Sequence, residues 1–176
     1  MNHSYPRPIP ESYWVIPGIL LAGAYPGEFD PDRTRFKLIQ LLNEGMDTFI
    51  NLTNEDELPD YRSILQEEAE QYDRDVNYER FSISDRGLPS IKKMRSILDA
   101  IDDAIQARHK LYLHCWGGIG RTGTTVGCFL VRHGLSGEEA LNKLAELYLE
   151  SAQSRIYPRS PETQEQIRFI LNWHES

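Results

Sequence analysis

A cysteine and an arginine with five residues between them, Cys115 and Arg121, are the pair in this sequence best suited to chemistry. Residues 114–123 read His-Cys-Trp-Gly-Gly-Ile-Gly-Arg-Thr-Gly, so the segment between the pair is rich in glycine and carries no charge. A thiolate is a strong nucleophile, and the planar guanidinium of arginine matches two oxygens of a phosphate group. The pair therefore predicts nucleophilic attack on a bound phosphate.

The elements on either side of this motif must position it. Residues 110–113 are an apolar run that predicts a short buried strand, and residues 124–132 predict a buried helix. The first N–H groups of a helix have no intrahelical partner, and glycines let a loop fold so that several of them converge on one point. We therefore expect an anion site where the strand ends and the helix begins, with Cys115 ionising readily beside it.

The motif resembles the signature of the cysteine-dependent protein tyrosine and dual-specificity phosphatases. It is most similar to their compact group, which includes the cyclin-dependent-kinase-inhibitor-3-type enzymes, and the resemblance covers roughly residues 14–173. It implies that Cys115 attacks phosphorus, that Arg121 holds the equatorial oxygens, and that the Thr122 hydroxyl stabilises the departing thiolate. The loop residues that it implies as phosphate-binding are Trp116, Gly117, Gly118, Ile119, Gly120 and Arg121.

Asp85 is the candidate acid. Cleavage of a phosphate ester needs a group that protonates the leaving oxygen, which neither Cys115 nor Arg121 can do. Asp85 lies in the sequence Asp-Arg-Gly-Leu-Pro, in a loop between a predicted strand and a long predicted helix. This stretch resembles the general-acid loop of the same phosphatases, which implies that Asp85 acts as acid in the first step and as base toward water in the second. The alternative is a turn or helix-capping aspartate.

Two further residues are accessory candidates. His114 can order the loop through its ring nitrogens, or it can be a satisfied buried histidine. Residues 162–169 are similar to the Q-T-x-x-Q-x-x-F stretch of tyrosine phosphatases, in which glutamines position the hydrolytic water, but Glu162 replaces the first glutamine. Gln166 is therefore a candidate for positioning water, and an ordinary exposed helix glutamine is the alternative.

Residues 118–123 also match the dinucleotide-binding pattern G-x-G-x-x-G. That interpretation requires a second strand, about 20 residues further on, that ends in an acidic residue for the ribose. The chain has Glu138 and Glu139 there, but they open a predicted helix. A dinucleotide site also does not explain the presence of Cys115, so this interpretation is the weaker alternative. An incidental glycine-rich turn is equally weak.

Alternating strand and helix patterns predict an α/β fold with a central, mostly parallel sheet flanked by helices. We expect residues 1–12, with three prolines, to form an N-terminal arm, either disordered or packed on the body, and residues 13–176 to form one phosphatase domain. Asp30 predicts the start of one helix, Ser136 a capping box at another, and Ser160, followed by proline, the start of the last.

Composition narrows the partners and the location. With a formal net charge of −8, the chain is expected to bind neither nucleic acid nor an anionic membrane. The chain has two cysteines without a paired framework, and it shows no apolar run of membrane-spanning length and no secretory leader. We therefore expect a cytoplasmic protein. The histidines lack metal-ligand spacing, so neither a metal nor another cofactor is expected. We also expect a monomer.

The loop composition bears on the substrate. Phosphoinositide, inositol-polyphosphate and RNA 5′-triphosphate phosphatases share the Cys-x5-Arg spacing, and their highly charged substrates favour lysines in or beside the loop. No lysine lies between Cys115 and Arg121. Phosphotyrosine of a protein or peptide, and with it phosphoserine or phosphothreonine, is therefore favoured. A non-protein phosphate substrate stays open, as does a phosphoprotein-binding module without turnover, although such a module would not need Asp85.

Overall fold

The computed structural model describes residues 5–175, in which a five-stranded sheet lies between two layers of helices. The strands are β1 (Ser12–Ile16), β2 (Leu20–Gly23), β3 (Thr48–Asn51), β4 (Asn77–Arg80) and β5 (Leu111–His114). The helices are α1 (Pro31–Asn43), α2 (Arg62–Gln71), α3 (Ile91–Gln106), α4 (Arg121–Arg132), α5 (Gly137–Tyr148) and α6 (Gln164–Leu171), and a short 3-10 helix (Ala152–Arg155) lies between the last two.

The sheet has the strand order β1-β2-β5-β3-β4, and only β1 is antiparallel to its neighbour. The predicted α/β fold with a mostly parallel sheet is confirmed. The register aligns the last residues of the four parallel strands, which are Gly23, His114, Asn51 and Arg80. The loops after these strands therefore leave the sheet at one edge, the edge at which ligands bind in open α/β sheets.

The sheet has a hydrophobic core on each face, because successive side chains of a strand point to opposite sides. In β5, Leu111 and Leu113 contribute to the first core, against α3, α4, α5 and α6. Tyr112, between them, contributes to the second core, against α1 and α2. The central strands are thus covered on both faces, which explains why their sequences read as continuous apolar runs.

Two of the predicted helix starts are confirmed. The Asp30 carboxylate accepts a hydrogen bond of 3.0 Å from the N–H of Asp32, and proline follows at the first position of α1. At α5, the Ser136 hydroxyl accepts from the N–H of Glu139, and the Glu139 carboxylate accepts from the N–H of Ser136. Both caps satisfy backbone donors that the helix itself leaves unpaired.

The predicted start of the last helix at Ser160 is wrong. Helix α6 begins at Gln164, because a capping box at Thr163 and Gln166 satisfies its first N–H groups. The Ser160 hydroxyl instead donates a hydrogen bond of 2.7 Å to the carbonyl of Ile119. A serine-proline pair resembles a helix start in sequence, but here its hydroxyl holds the loop that precedes α4.

The described part of the N-terminal arm, residues 5–11, packs on the body. Ile9 is buried in the second core, and the indole N–H of Trp14 donates to the carbonyl of Pro6 at 3.2 Å. Strand β1 begins at Ser12, one residue before the predicted domain boundary. The rest of the predicted arm, residues 1–4, lies outside the described residues.

Two kinds of feature are absent from the described range. Between residues 5 and 175, no helix combines the length and the hydropathy that crossing a membrane would require. Within the same range, no three side chains among the histidines, cysteines, aspartates and glutamates are grouped so that they could hold a metal ion.

Candidate active site

A cleft of about 730 Å³ opens at the edge of the sheet where the four parallel strands end. Cys115, Arg121 and Asp85 line it, so the structure brings together the three residues on which the sequence argument depends. Of the predicted phosphate-binding residues, Trp116, Gly117, Ile119 and Gly120 also line it. The loops that meet at the cleft are the phosphate loop (residues 115–120), the Glu57 loop (residues 52–61), the Asp85 loop (residues 81–90) and residues 24–30.

The phosphate loop is held by its backbone. The carbonyl of Trp116 accepts from the N–H of Tyr25 at 2.8 Å, which joins the loop to the end of β2. Gly118 has a φ of +72°, and a Cβ there would collide with the backbone of Gly23. Only glycine meets both conditions without strain. Gly118 is therefore a structural residue of the loop rather than part of the cleft surface.

Helix α4 points its N-terminus at the cleft. Its N-cap is Gly120, which has no side chain, so no side chain caps the first N–H groups. Such uncapped donors, together with the helix dipole, attract an anion. Cys115 is 3% exposed, lines the cleft and lies directly after β5. Both cysteines of the chain are free, and burial raises the pKa of the other one, Cys128.

The guanidinium of Arg121 is buried among fixed acceptors. Nη1 and Nη2 donate to the two carboxylate oxygens of Glu57 at 2.9 and 2.6 Å. Nη1 also donates to the carbonyl of Ile83 at 2.9 Å, and Nη2 to a carboxylate oxygen of Asp85 at 3.2 Å. Within residues 5–175, Nε makes no hydrogen bond, so one donor edge of the guanidinium stays available to a ligand.

Glu57 and Arg121 each stabilise the charged form of the other. Burial by itself raises the pKa of Glu57, but the hydrogen bonds from Arg121 and from the N–H of Asn54 outweigh it, so that the pKa is lowered. For Arg121, burial lowers the pKa, but the bond to Glu57 and the negative charges of Cys115 and Asp85 reverse the effect. Glu57 is thus an anion that keeps the guanidinium charged and in one orientation.

Asp85 lies on a tight turn. The N–H of Gly87 donates to the carbonyl of Ser84 at 2.8 Å, and Arg86 has a φ of +59°. The Asp85 side chain is about half exposed and reaches Arg121 from the solvent side of the cleft. It is therefore the more exposed of the two carboxylates that Arg121 binds, and a bound phosphate can take its place on Nη2.

His114 is a buried, neutral histidine. Its Nδ1 lies 3.2 Å from the carbonyl of Cys115, and its Nε2 lies 2.6 Å from the hydroxyl of Tyr61. Because a carbonyl only accepts, Nδ1 carries the proton, and Nε2 accepts from the Tyr61 hydroxyl. Burial lowers the pKa of His114 to about 3. The two interpretations of His114 are therefore compatible. Both ring nitrogens of this buried histidine have hydrogen-bond partners, and one of these partners is the backbone carbonyl of Cys115, the candidate nucleophile.

The hydroxyl of Thr122 is fully buried and, within the described chain, has no hydrogen-bond partner. Its neighbours Thr124 and Thr125 donate to helix carbonyls four residues earlier. A buried hydroxyl without a partner is uncommon and often marks a functional position. Thr122 lies two residues after the N-cap Gly120, in the first turn of α4.

Gln166 is not the exposed helix glutamine that the sequence left as an alternative. Its side chain is fully buried, because the capping box of α6 packs it against the phosphate loop, where it would lie 3.0 Å from a Cβ placed on Gly120. Gln166 does not line the cleft. Its predicted water-positioning function therefore stays a prediction.

The outer walls of the cleft are aromatic. Phe29, Trp116 and Tyr157 line it and are 91%, 58% and 54% exposed. Exposed large aromatic side chains around a concave site offer flat contact surfaces to a ligand. The sequence did not single out Phe29 or Tyr157, since neither belongs to a motif.

Glu57, the carboxylate partner of Arg121, was not singled out from the sequence. The polar loop after β3 contains Glu55, Asp56 and Glu57 in succession. Nothing in their order distinguishes the one that meets Arg121. Tyr61, the partner of His114, was missed for the same reason: its partner is 53 residues away.

Residues 10–170 of the chain match the DSP-PTPase phosphatase domain of the Swiss Army Knife proteins, PTP-SAK. The match covers most of the chain and includes every residue of the cleft. The chain therefore belongs to this family of cysteine-based dual-specificity phosphatases, as its motif predicted. The dinucleotide interpretation fails its own requirement, since Glu138 and Glu139 lie in the first turn of α5 rather than at a strand end.

Two curated relatives are larger proteins. The chain is 36% identical over 81 residues to the Arabidopsis thaliana "phosphatidylinositol 3,4,5-trisphosphate 3-phosphatase and protein-tyrosine-phosphatase PTEN1", covering 43% of this chain and 20% of that protein. It is 28% identical over 128 residues to the Mus musculus "protein tyrosine phosphatase domain-containing protein 1", covering 68% of this chain and 17% of that protein. The chain thus spans about a fifth of the length of the curated relatives it matches.

Solved structures share the fold. Tk-PTP in its active form is 26% identical with a TM-score of 0.66, and the match covers 94% of this chain and 97% of that one. Kinase associated phosphatase is 18% identical with a TM-score of 0.70, covering 93% of this chain and 96% of that one. PTPMT1, in a structure with PI(5)P, is 17% identical with a TM-score of 0.65, covering 92% of each chain.

Proposed function

We propose that this chain hydrolyses phosphomonoesters through a cysteinyl-phosphate intermediate, without a metal, and that its substrates are phosphotyrosine residues of proteins or peptides, with phosphoserine and phosphothreonine as further substrates. The observation that carries the proposal is the meeting of Cys115, Arg121 and Asp85 in one cleft at the open N-terminus of α4. A nucleophile, a cation for the phosphoryl oxygens and an acid are the groups that the reaction needs.

In the first step, the Cys115 thiolate attacks phosphorus and the bond to the leaving oxygen breaks. Asp85, as the carboxylic acid, donates its proton to that oxygen. Arg121 holds two phosphoryl oxygens through Nε and Nη2, after the phosphate has displaced Asp85 from Nη2. This displacement moves the Asp85 carboxyl toward the outer, leaving-group side of the phosphate, which is the position an acid needs.

In the second step, water attacks phosphorus and the sulfur-phosphorus bond breaks, so that phosphate and the Cys115 thiolate are released. The Asp85 carboxylate takes the proton from the water. The buried Thr122 hydroxyl, which has no partner elsewhere in residues 5–175, is available to donate to the departing thiolate. No step requires a charge that the side chains themselves do not supply.

The charges in the cleft support a substrate of modest charge. Each cation that lines the cleft already has a carboxylate partner: Lys37 lies 2.7 Å from Glu28, Arg86 lies 2.6 Å from Glu162, and Arg121 binds Glu57. Glu11 and Asp85 also line it, so the cleft has no surplus positive charge for a second or third phosphate. A single phosphate on a peptide suits this balance better than a polyphosphorylated headgroup.

The aromatic walls support a phosphoaryl group in particular. A tyrosine ring whose phosphate reaches Arg121 would lie in the cleft that the exposed side chains of Trp116 and Tyr157 line. Such ring contacts favour phosphotyrosine over the shorter phosphoserine, which brings no ring to the walls. Activity on phosphoserine would then proceed with a higher KM rather than be absent.

The test is hydrolysis of an aryl phosphate in the presence of EDTA, by the native chain and by Cys115→Ser and Asp85→Asn. We expect native activity to survive chelation and Cys115→Ser to have none. Asp85→Asn should lose about 10²–10³-fold in kcat, and its kcat should no longer fall at alkaline pH, because the acid has been removed. An inactive native chain that still binds phosphotyrosine would favour the binding-module alternative.

Substrate class is tested separately, with phosphotyrosine peptides, phosphoserine peptides and phosphoinositide vesicles compared at equal phosphate concentration. Higher kcat/KM on the phosphotyrosine peptides supports the proposal. Higher kcat/KM on phosphoinositides would replace the protein substrate with a lipid while leaving the cysteine mechanism in place.

A further inference from the structure

The side-chain amide of Gln166 joins two segments that are far apart in the chain. Its Oε1 accepts hydrogen bonds of 3.0 Å from the N–H groups of Glu162 and Thr163, at the start of α6. Its Nε2 donates to the carbonyl of Gly87, 79 residues earlier, at 3.3 Å. The bonds through Oε1 cap the helix, but capping does not require the bond through Nε2. That bond reaches the Asp85 loop.

A second contact joins the same two segments. Nη1 of Arg86 donates to a carboxylate oxygen of Glu162 at 2.6 Å. Arg86 and Gly87 are the two residues that follow Asp85, so both are held by the start of α6. The ion pair is largely exposed and contributes little by itself, whereas the Gln166 amide is fully buried.

On the N-terminal side of Asp85, the backbone of Ile83 is held by hydrogen bonds as well. The N–H of Ile83 donates to the carbonyl of Leu52 at 3.0 Å, and the carbonyl of Ile83 accepts from Arg121 at 2.9 Å. Asp85 therefore lies on a turn whose backbone is fixed at both ends, and only its carboxyl group is free to move over the cleft.

We propose that Gln166 is a positioning residue for Asp85: by donating to Gly87, it holds the turn so that the Asp85 carboxyl reaches the leaving oxygen. This inference rests on the proposed function, in which Asp85 is the acid. It also gives the buried amide a purpose other than positioning water. Displacement of an acid by about 1 Å can cost up to about 10²-fold in rate, so a hydrogen bond to the turn has a measurable effect.

The variant Gln166→Glu separates positioning from capping. A carboxylate keeps an oxygen for the N–H groups of Glu162 and Thr163, and a negative charge at a helix N-terminus is favourable. It cannot, when ionised, donate to the carbonyl of Gly87. The matched control is Gln164→Glu, the same substitution in the same helical turn at an exposed position.

The measurement is kcat/KM along a series of phosphate esters whose leaving groups range from nitrophenol, through phenol, to an alkyl alcohol. A nitrophenolate leaves without protonation, whereas phenol and the alcohol need the acid. We expect Gln166→Glu to lose about tenfold on phenyl phosphate but less than about twofold on nitrophenyl phosphate. Gln164→Glu should match the native chain throughout, and Asp85→Asn should show the steepest dependence on the leaving group.

Suppose that Asp85→Asn shows the steep dependence on the leaving group and that Gln166→Glu folds. If Gln166→Glu then loses kcat/KM equally on all esters, or loses none, the inference is overturned. If Asp85→Asn shows no steeper dependence than the native chain, the proposed acid itself is wrong and the inference fails with it. Should Gln166→Glu not fold, Gln166→Met replaces it, since its side chain has a similar length but cannot donate to the carbonyl of Gly87. It should show the same selective loss on phenyl phosphate, and an unchanged ratio of the two esters would overturn the inference.

Discussion

At the scale of single residues, Arg121 illustrates how a buried cation is kept ready for an anion. Glu57 occupies both terminal nitrogens, Ile83 accepts a further bond, and Nε is left for the substrate. Removing one partner of a buried charged pair leaves the other uncompensated, which is more costly than the pair's net contribution. Glu57 therefore acts through Arg121 and does not itself need to touch the substrate.

We expect Glu57→Gln to lower kcat about tenfold without raising KM, because the guanidinium loses its fixed orientation while a negative charge near the phosphate is removed. Steady-state kinetics on an aryl phosphate measures both. Glu55→Gln is the control, since the Glu55 side chain is exposed and lies 3.9 Å from Arg62. A raised KM with unchanged kcat would instead mean that Glu57 contributes to substrate binding only.

His114 predicts a pH dependence of stability. Its pKa is about 3 in the folded chain and about 6.5 when unfolded. Between these values the unfolded state binds a proton that the folded state does not, so the free energy of unfolding falls as the pH is lowered through this range. From pH 7 to pH 5 this group alone should cost about 2 kcal/mol.

Urea unfolding of the native chain and of His114→Gln at the two pH values measures this contribution. The native chain should lose about 2 kcal/mol more than the variant, whose glutamine keeps a polar group but does not titrate. Equal losses would show that the carboxylates, rather than His114, govern the acid sensitivity.

At the scale of elements, the loop between β5 and α4 depends on where its glycines stand. Gly118 has a positive φ and contacts the backbone of Gly23, whereas a Cβ on Gly117 would meet only the flexible side chain of Ile119. Of these two neighbouring glycines, only Gly118 is at a position where the backbone conformation and the surrounding space require glycine. The motif alone does not distinguish them.

We expect Gly118→Ala to lower the free energy of unfolding by at least about 2 kcal/mol and to reduce kcat/KM by more than about tenfold, because the loop must shift away from β2. Gly117→Ala should change stability by less than about 1 kcal/mol. Thermal unfolding and aryl phosphate kinetics measure both variants. Similar effects of the two substitutions would contradict the loop geometry described above.

At the scale of the whole molecule, the negative net charge favours one class of substrate over another. The chain has a formal net charge of −8, and the cations of the cleft are neutralised by carboxylates. The field around the cleft therefore repels polyanions and attracts cationic segments of a substrate.

Phosphotyrosine peptides flanked by lysines should accordingly have about tenfold higher kcat/KM than the same peptides flanked by glutamates at low ionic strength. Peptides with neutral flanks should fall between them. The ratio should shrink when salt is added, because the Debye length falls to about 8 Å near physiological ionic strength. A preference for acidic flanks would contradict the proposed charge selection.

Much of this molecule could be predicted from local patterns. Strands and helices follow from hydrophobic periods, and two of the three helix starts followed from their capping residues, because these signals lie within a few residues of each other. The start of α6 was misplaced at Ser160, since the hydroxyl of that residue bonds to Ile119 across the fold rather than to its own helix.

The amino-acid sequence by itself determined the family and the candidate reacting groups, Cys115, Arg121 and Asp85, because each lies in a short contiguous motif. Only the tertiary structure decided that Glu57 holds Arg121 and that Gln166 is buried against the Asp85 loop. Those contacts join residues 64 and 79 positions apart. A hydrogen bond across such a separation depends on how the strands are ordered in the sheet, and it leaves no periodic or spacing signal in the chain.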